Sequence, residues 1–121
     1  MKESDLIGKI RLAVTQVGVR LFRNACGQYT TSSGVVIRYG VVNPGGSDLI
    51  GWTQHKVTMD DVGKTFAIFT AVEVKTGRLK PTDKQLNFID QVRKSGGYAG
   101  VAYSVEDAIG IIEGDVNGNK Y

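Results

Sequence analysis

Two carboxylates and a lysine stand where short apolar strands are expected. Asp48 lies in Gly46-Ser47-Asp48-Leu49-Ile50-Gly51, and Glu73 and Lys75 lie in Val72-Glu73-Val74-Lys75-Thr76. Burying an ionised carboxylate costs several kcal/mol even after relaxation, so such groups are paired or bind a metal. Side chains alternate along a strand, which puts Glu73 and Lys75 on one face. That face offers a hard oxygen donor beside a fixed positive charge, and phosphodiester hydrolysis needs both. Asp48 opens one strand and Glu73 lies near the end of the next. If the two strands are antiparallel neighbours, the carboxylates converge on one ion. Mg²⁺ takes one or two carboxylates, keeps several waters and accepts phosphate oxygens. Lys75 is then placed to orient a water or neutralise charge developing on the phosphate.

Positioning these groups is the task of an α-β-β-β-α-β-α order of elements. Residues 4–17 predict a helix, with Ile7, Ile10, Val14 and Val17 on one stripe and Ser4 as its cap. Glu3 continues that stripe backwards, over the edge of the core. Residues 19–34 read as a polar connection carrying Arg20, Arg23 and Asn24. Strands follow at Val35–Val42 and Asp48–Trp52, separated by the Asn43-Pro44-Gly45-Gly46 turn. The polar stretch 54–64 gives no clear element. Phe66–Val74 predicts a longer strand, apolar on both sides apart from Glu73 and so expected to be covered on both faces. Pro81 and Thr82 open a second helix with Thr82-x-x-Gln85 as a capping box and Leu86, Phe88, Ile89 and Val92 as its buried side. It stops at Gly96-Gly97. Tyr98–Tyr103 is a last strand, parallel to its predecessor, and Ser104-x-x-Asp107 caps a short helix to Ile112. The fold class is α/β, a mixed β-sheet flanked by helices. One domain is expected over residues 1–113, followed by a polar tail over 114–121.

The 121 residues are 41% hydrophobic and 22% charged, ordinary values for a soluble globular chain. A formal charge of +3 is compatible with a polyanionic partner. Cys26 is the single cysteine, which excludes an intrachain disulfide and a cysteine-based zinc site. No signal-peptide core and no apolar run of about 18 residues is present, so a cytoplasmic protein without a membrane anchor is expected. His55, the lone histidine, sits in a polar loop and reads as a surface residue.

The ordered set Glu3, Phe22-Arg23-Asn24 with Gly27, Gly45-Gly46-Ser47-Asp48-Leu49-Ile50-Gly51, Ala71 to Leu79 with its Glu73-x-Lys75, Gln85, and Gly96 to Ala102 resembles one family. It is similar to the stand-alone phage type of the virus-type replication-repair nucleases (VRR-NUC), within the PD-(D/E)XK nuclease superfamily. The resemblance implies the superfamily's αβββαβ, restriction-endonuclease-like core, in agreement with the element order above. It also implies a Mg²⁺- or Mn²⁺-dependent endodeoxyribonuclease acting as a homodimer on branched DNA such as Holliday junctions, in the cytoplasm of a phage's host. Asp48, Glu73, the Val74 carbonyl and Glu3 would be metal ligands. Lys75 would be the catalytic lysine, and Gln85 would approach it, or the scissile phosphate, from the second helix.

Plainer roles exist for each residue. Asp48 is also a natural turn residue at a strand start. Glu73 and Lys75 could form only an exposed pair contributing roughly 0–1 kcal/mol. Gln85 fits a helix cap, and Glu3 is a favourable acid in a first turn. Phosphate contacts are expected from Arg78 and Lys80 beyond Lys75, from Lys84 beside Gln85, and from Arg23 and Asn24. Trp52 and Tyr39 read as packing residues. Rival readings are a nuclease of the same fold acting on flaps, nicked or plain duplex DNA, and a non-catalytic DNA-structure-binding module.

Overall fold

A computed structural model describes residues 1–114. The chain has an α/β fold with three helices and with both antiparallel and parallel strand pairs. It divides into two compact units, Met1–His55 and a second beginning at Lys56. From residue 115 on, the expected polar tail lies outside the described residues.

The first unit opens with helix α1, Glu3–Gln16. Its N-cap is Lys2 rather than Ser4, and no side chain caps it. Ser4 lies inside the first turn, where Glu3 and Asp5 complement the helix dipole instead. Ile7 and Val14 are half-buried, whereas Ile10 and Val17 are exposed.

The expected connection over 19–34 is in fact two strands, β1 (Arg20–Arg23) and β2 (Gly27–Thr30). β1 pairs antiparallel with β4 (Leu49–Trp52), setting Arg23 opposite Leu49 and Arg20 opposite Trp52. β2 forms a hairpin with β3 (Val36–Tyr39). These four-residue strands carry no clear period of their own, and they form through partners that lie outside the segment, as far as Trp52 for β1 and Tyr39 for β2. Phe22 and Trp52 pack ring to ring at 5.5 Å, as a packing role for Trp52 requires. Gly51 is needed for the β1–β4 approach: a Cβ there would run into the Arg20 carbonyl.

In the second unit a 3-10 turn, Met59–Asp61, occupies the stretch that gave no clear element, with Thr58 and Asp61 forming its capping box. β5 covers Thr70–Val74, shorter than the expected 66–74. It pairs in parallel with the five-residue β6 (Tyr98–Ala102), and a ladder cannot outrun its shorter partner. The β5 backbone is not covered on both faces. Ala71, Glu73 and Lys75 turn inward, while Val72 and Val74 are 36% and 68% exposed.

Helix α2 (Asp83–Lys94) makes the crossover between the parallel strands, capped as expected by Thr82 and Gln85. It ends at Ser95 and the positive-φ Gly96 (φ +99°). In its last turn Lys94 meets Asp90 at 2.9 Å, and that hydrogen bond, with the attraction of the carboxylate, holds the lysine above its ordinary pKa. Helix α3 (Val105–Ile112) starts on the Ser104 cap, whose hydroxyl accepts from Asp107 N–H. Among the described residues the buried apolar side chains are Ile89 and Val92 of α2, Ala99, Val101 and Ala102 of β6, and Ile111 of α3. The core therefore sits where α2 and α3 meet the parallel pair. No described helix is long and apolar enough to cross a membrane.

Ile89, 3% exposed, belongs both to this core and to the lining of the pocket described below. Ile89→Ala is expected to destabilise the protein by about 2–5 kcal/mol, and Thr82→Ala by about 0.5–2 kcal/mol, read from urea midpoints.

Candidate active site

Glu73 lies on the inner face of β5 and Lys75 follows two residues later on the same face. The strand pairing fixes both backbones. Glu73 stands opposite Val101, and Lys75 N–H donates to the Ala102 carbonyl at 3.0 Å, continuing the ladder past the end of β5. Lys75 Nζ comes within 3.4 Å of Glu73 Oε1, with side-chain exposures of 18% and 31% respectively. This is not a solvated surface pair.

Gln85 completes the group from the first turn of α2. Its Oε1 accepts from Thr82 N–H at 2.9 Å, and its backbone N–H donates to Thr82 Oγ1 at 3.1 Å. With the carbonyl end committed to the cap, the amide's NH₂ end is left to donate, and Nε2 reaches Glu73 Oε1 at 2.8 Å. The helix cap therefore dictates the polarity of the amide that faces the carboxylate. Capping and contact with the site are not competing roles for Gln85; one orients the other. A hydrogen bond to a charged group contributes about 1.5–3 kcal/mol.

Both donors meet Glu73 at the same oxygen, and Oε2 has no protein partner among the described residues. A pocket of about 360 Å³ adjoins the carboxylate, lined by Ala71, Val72, Glu73, Lys84, Gln85, Phe88 and Ile89. Its walls are apolar, with one acid, one cation and one amide converging at the edge. Lys84 therefore joins Glu73 and Gln85 at one cavity. Arg78 and Lys80 are exposed on the loop after Lys75, and that loop is tied down by Tyr103, whose hydroxyl donates to the Leu79 carbonyl at 2.7 Å. The sequence carried no signal for Tyr103, since its partner is a backbone atom 24 residues away.

The first unit holds the other expected residues. Asp48 immediately precedes β4, its carboxylate 3.4 Å from Arg23 Nη1 with side-chain exposures of 58% and 46%. Its Oδ2 has no protein partner among the described residues. Glu3 is exposed at the start of α1. Asn24 was expected on a nucleic-acid surface but is 7% exposed, and both of its amide donors go to backbone carbonyls of the chain. That leaves it nothing to give a phosphate. Val74, the expected carbonyl ligand, lies in β5 opposite Ala102.

Among the described residues no three His, Cys, Asp or Glu side chains form one group. A Mg²⁺ site does not need three, since one or two carboxylates with waters suffice. In the second unit the outer oxygen of Glu73 is a hard donor of the type such an ion prefers, and in the first unit that of Asp48 is another, so the donor chemistry of each fits. A family model for the VRR-NUC domain matches residues 23–106, more than half of the 121-residue chain. The chain belongs to the VRR-NUC family. This is a nuclease-type family, and the match spans Asp48, Glu73, Lys75, Lys84 and Gln85 while leaving Glu3 outside it. No curated protein and no solved structure shows significant similarity to the chain.

The shared oxygen of Glu73 makes a direct prediction. A double-mutant cycle of Glu73→Ala and Gln85→Ala, followed by urea denaturation, is expected to give a coupling of about 1–2 kcal/mol. Additive effects would mean that the amide and the carboxylate do not hold each other in solution.

Proposed function

We propose that this VRR-NUC protein is a divalent-metal-dependent DNA endonuclease that hydrolyses phosphodiester bonds in branched DNA, four-way junctions included. The observation that carries the reading is the Glu73–Lys75–Gln85 group, in which two donors hold one carboxylate oxygen and leave the other free. Support for DNA as substrate comes from the nuclease family and from exposed cations near this group: Arg78 and Lys80 beyond it, and Lys84 at the pocket.

In this reading Asp48 and Glu73 are the carboxylate ligands, with the Val74 carbonyl and Glu3 as further oxygens. Mg²⁺ or Mn²⁺, when bound, supplies Lewis acidity toward the phosphate and lowers the pKa of a coordinated water. The chain's own contributions are separate. Lys75, held beside Glu73, places a cation where negative charge grows on the phosphate. Gln85 keeps Glu73 from rotating, so its free oxygen stays presented. Lys84, Arg78, Lys80 and Arg23 supply phosphate contacts that read shape rather than base edges. A homodimer follows from the substrate, because opposed strands of a junction require two symmetry-related sites. Light scattering of the purified protein at twice the monomer mass is the expected result.

Incubation of labelled four-way junction, flap and duplex DNA with Mg²⁺, Mn²⁺ or EDTA tests the reading. Junction cleavage with either metal and none in EDTA is expected. Cleavage of only flap or duplex would move the substrate to another DNA form, and binding without cleavage under any metal would make the protein a binding module. Lys75→Ala is expected to lower the cleavage rate by about 10²–10³-fold or more, with junction affinity in EDTA changed less than about twofold. Turnover retained in that variant would remove the mechanism.

A further inference from the structure

Among the described residues of the first unit, the one buried side chain is polar: Asn24, at 7% exposure. An amide in such a place is unfavourable unless every polar atom finds a partner. Here each does. Nδ2 donates to the Val41 carbonyl at 2.9 Å and to the Ser47 carbonyl at 3.0 Å. Oδ1 accepts from Val41 N–H at 2.8 Å, and the Asn24 backbone N–H donates to the Asp48 carbonyl at 2.8 Å. These four bonds bracket residues 41–48, all but the first residue of the connection between β3 and β4, and pin both ends of that stretch to the residue after β1. The connection ends at Asp48.

The pattern needs an asparagine. Two donors and one acceptor in a planar group are used at once, and aspartate would turn lone pairs toward two carbonyls. The space around the clamp is also closed. A Cβ on Gly46 would collide with the Val41 carbonyl, come within 2.6 Å of the Val42 carbonyl and meet Asn24 Nδ2 at 3.0 Å. The neighbouring residue Arg23 engages the Asp48 carboxylate itself. The dipeptide Arg23-Asn24 thus holds one aspartate twice, by its side chain and by its main chain.

We infer that Asn24 is a positioning residue for Asp48, fixing the 41–48 connection so that the carboxylate is presented for a divalent cation, and that it makes no contact with DNA. The inference rests on the reading of Asp48 as a metal ligand. Groups that orient a metal ligand from behind it commonly change metal affinity by 10–100-fold when removed. Asn24→Ala and, independently, Gly46→Ala are therefore expected to loosen the same loop without altering any charge.

Isothermal titration with Mn²⁺ in the absence of DNA is the test, using the full chain and the variants Asn24→Ala, Gly46→Ala, Asp48→Ala and Asn24→Ala/Asp48→Ala. Asn24→Ala and Gly46→Ala are each expected to weaken Mn²⁺ binding by about tenfold, with faster amide exchange over 41–48 and unchanged exchange over β5 and β6. Junction binding in EDTA should change less than about twofold. In the Asp48→Ala background, Asn24→Ala should have no further effect on Mn²⁺. Additivity in that background, or an intact Mn²⁺ affinity in Asn24→Ala while Asp48→Ala loses it, would overturn the positioning role alone. A loss of junction binding in EDTA with Mn²⁺ affinity intact would return Asn24 to the DNA surface. Unchanged Mn²⁺ binding in Asp48→Ala would remove the ligand reading, and this inference with it.

Discussion

A carboxylate on the inner face of a strand must be compensated, and the second unit is organised around compensating Glu73. The parallel pairing of β5 with β6 fixes the strand, the alternation of side chains brings Lys75 to the same face two residues on, and α2 starts where Gln85 can reach the same oxygen. None of these could be moved alone. Parallel strands require a crossover, the crossover here is α2, and the helix needs a cap at its first turn. Because Gln85 serves that cap with its carbonyl end, its amino end is left for the carboxylate. The constraint that starts the helix also orients the site.

The first unit solves a related problem by different means. Its strands are only four residues long, and among the described residues none of its apolar side chains is buried. An asparagine with its bonds satisfied does the work that a hydrophobic side chain does elsewhere, anchoring the connection between β3 and β4. Buried polar groups of this kind lend definition to a loop that hydrophobic contact would leave slack. The arrangement ends at a second acid, Asp48, whose carboxylate is balanced by Arg23.

Much of this was legible in the letters. Local signals read correctly: the Thr82-x-x-Gln85 and Ser104-x-x-Asp107 caps, the stop at Gly96, the apolar side of α2, and the alternation that sets Glu73 and Lys75 on one face. Signals that depend on a distant partner did not. β1 and β2 lie in a stretch whose polar residues and glycines predict a connection, and such segments become strands only through the ladders they join. β5 is shorter than its apolar run predicts, since its length is set by pairing with β6. Asn24, expected as a phosphate contact beside Arg23, reveals its buried place only through backbone partners 17 and 23 positions away.

By itself the sequence determined the chemistry that is available: which acids, cations and amides exist, their alternation along β5, and the capping motif at the start of α2, all consequences of residue identity and of spacings within one turn or one strand. Only the tertiary structure decided which of those groups are held and by what. That Gln85 reaches the Glu73 oxygen, that a tyrosine hydroxyl secures the loop after Lys75, and that the Asn24 amide is bonded to the Val41 carbonyl are all contacts between residues twelve or more positions apart. Such contacts arise from strand register and helix placement, which no local spacing encodes.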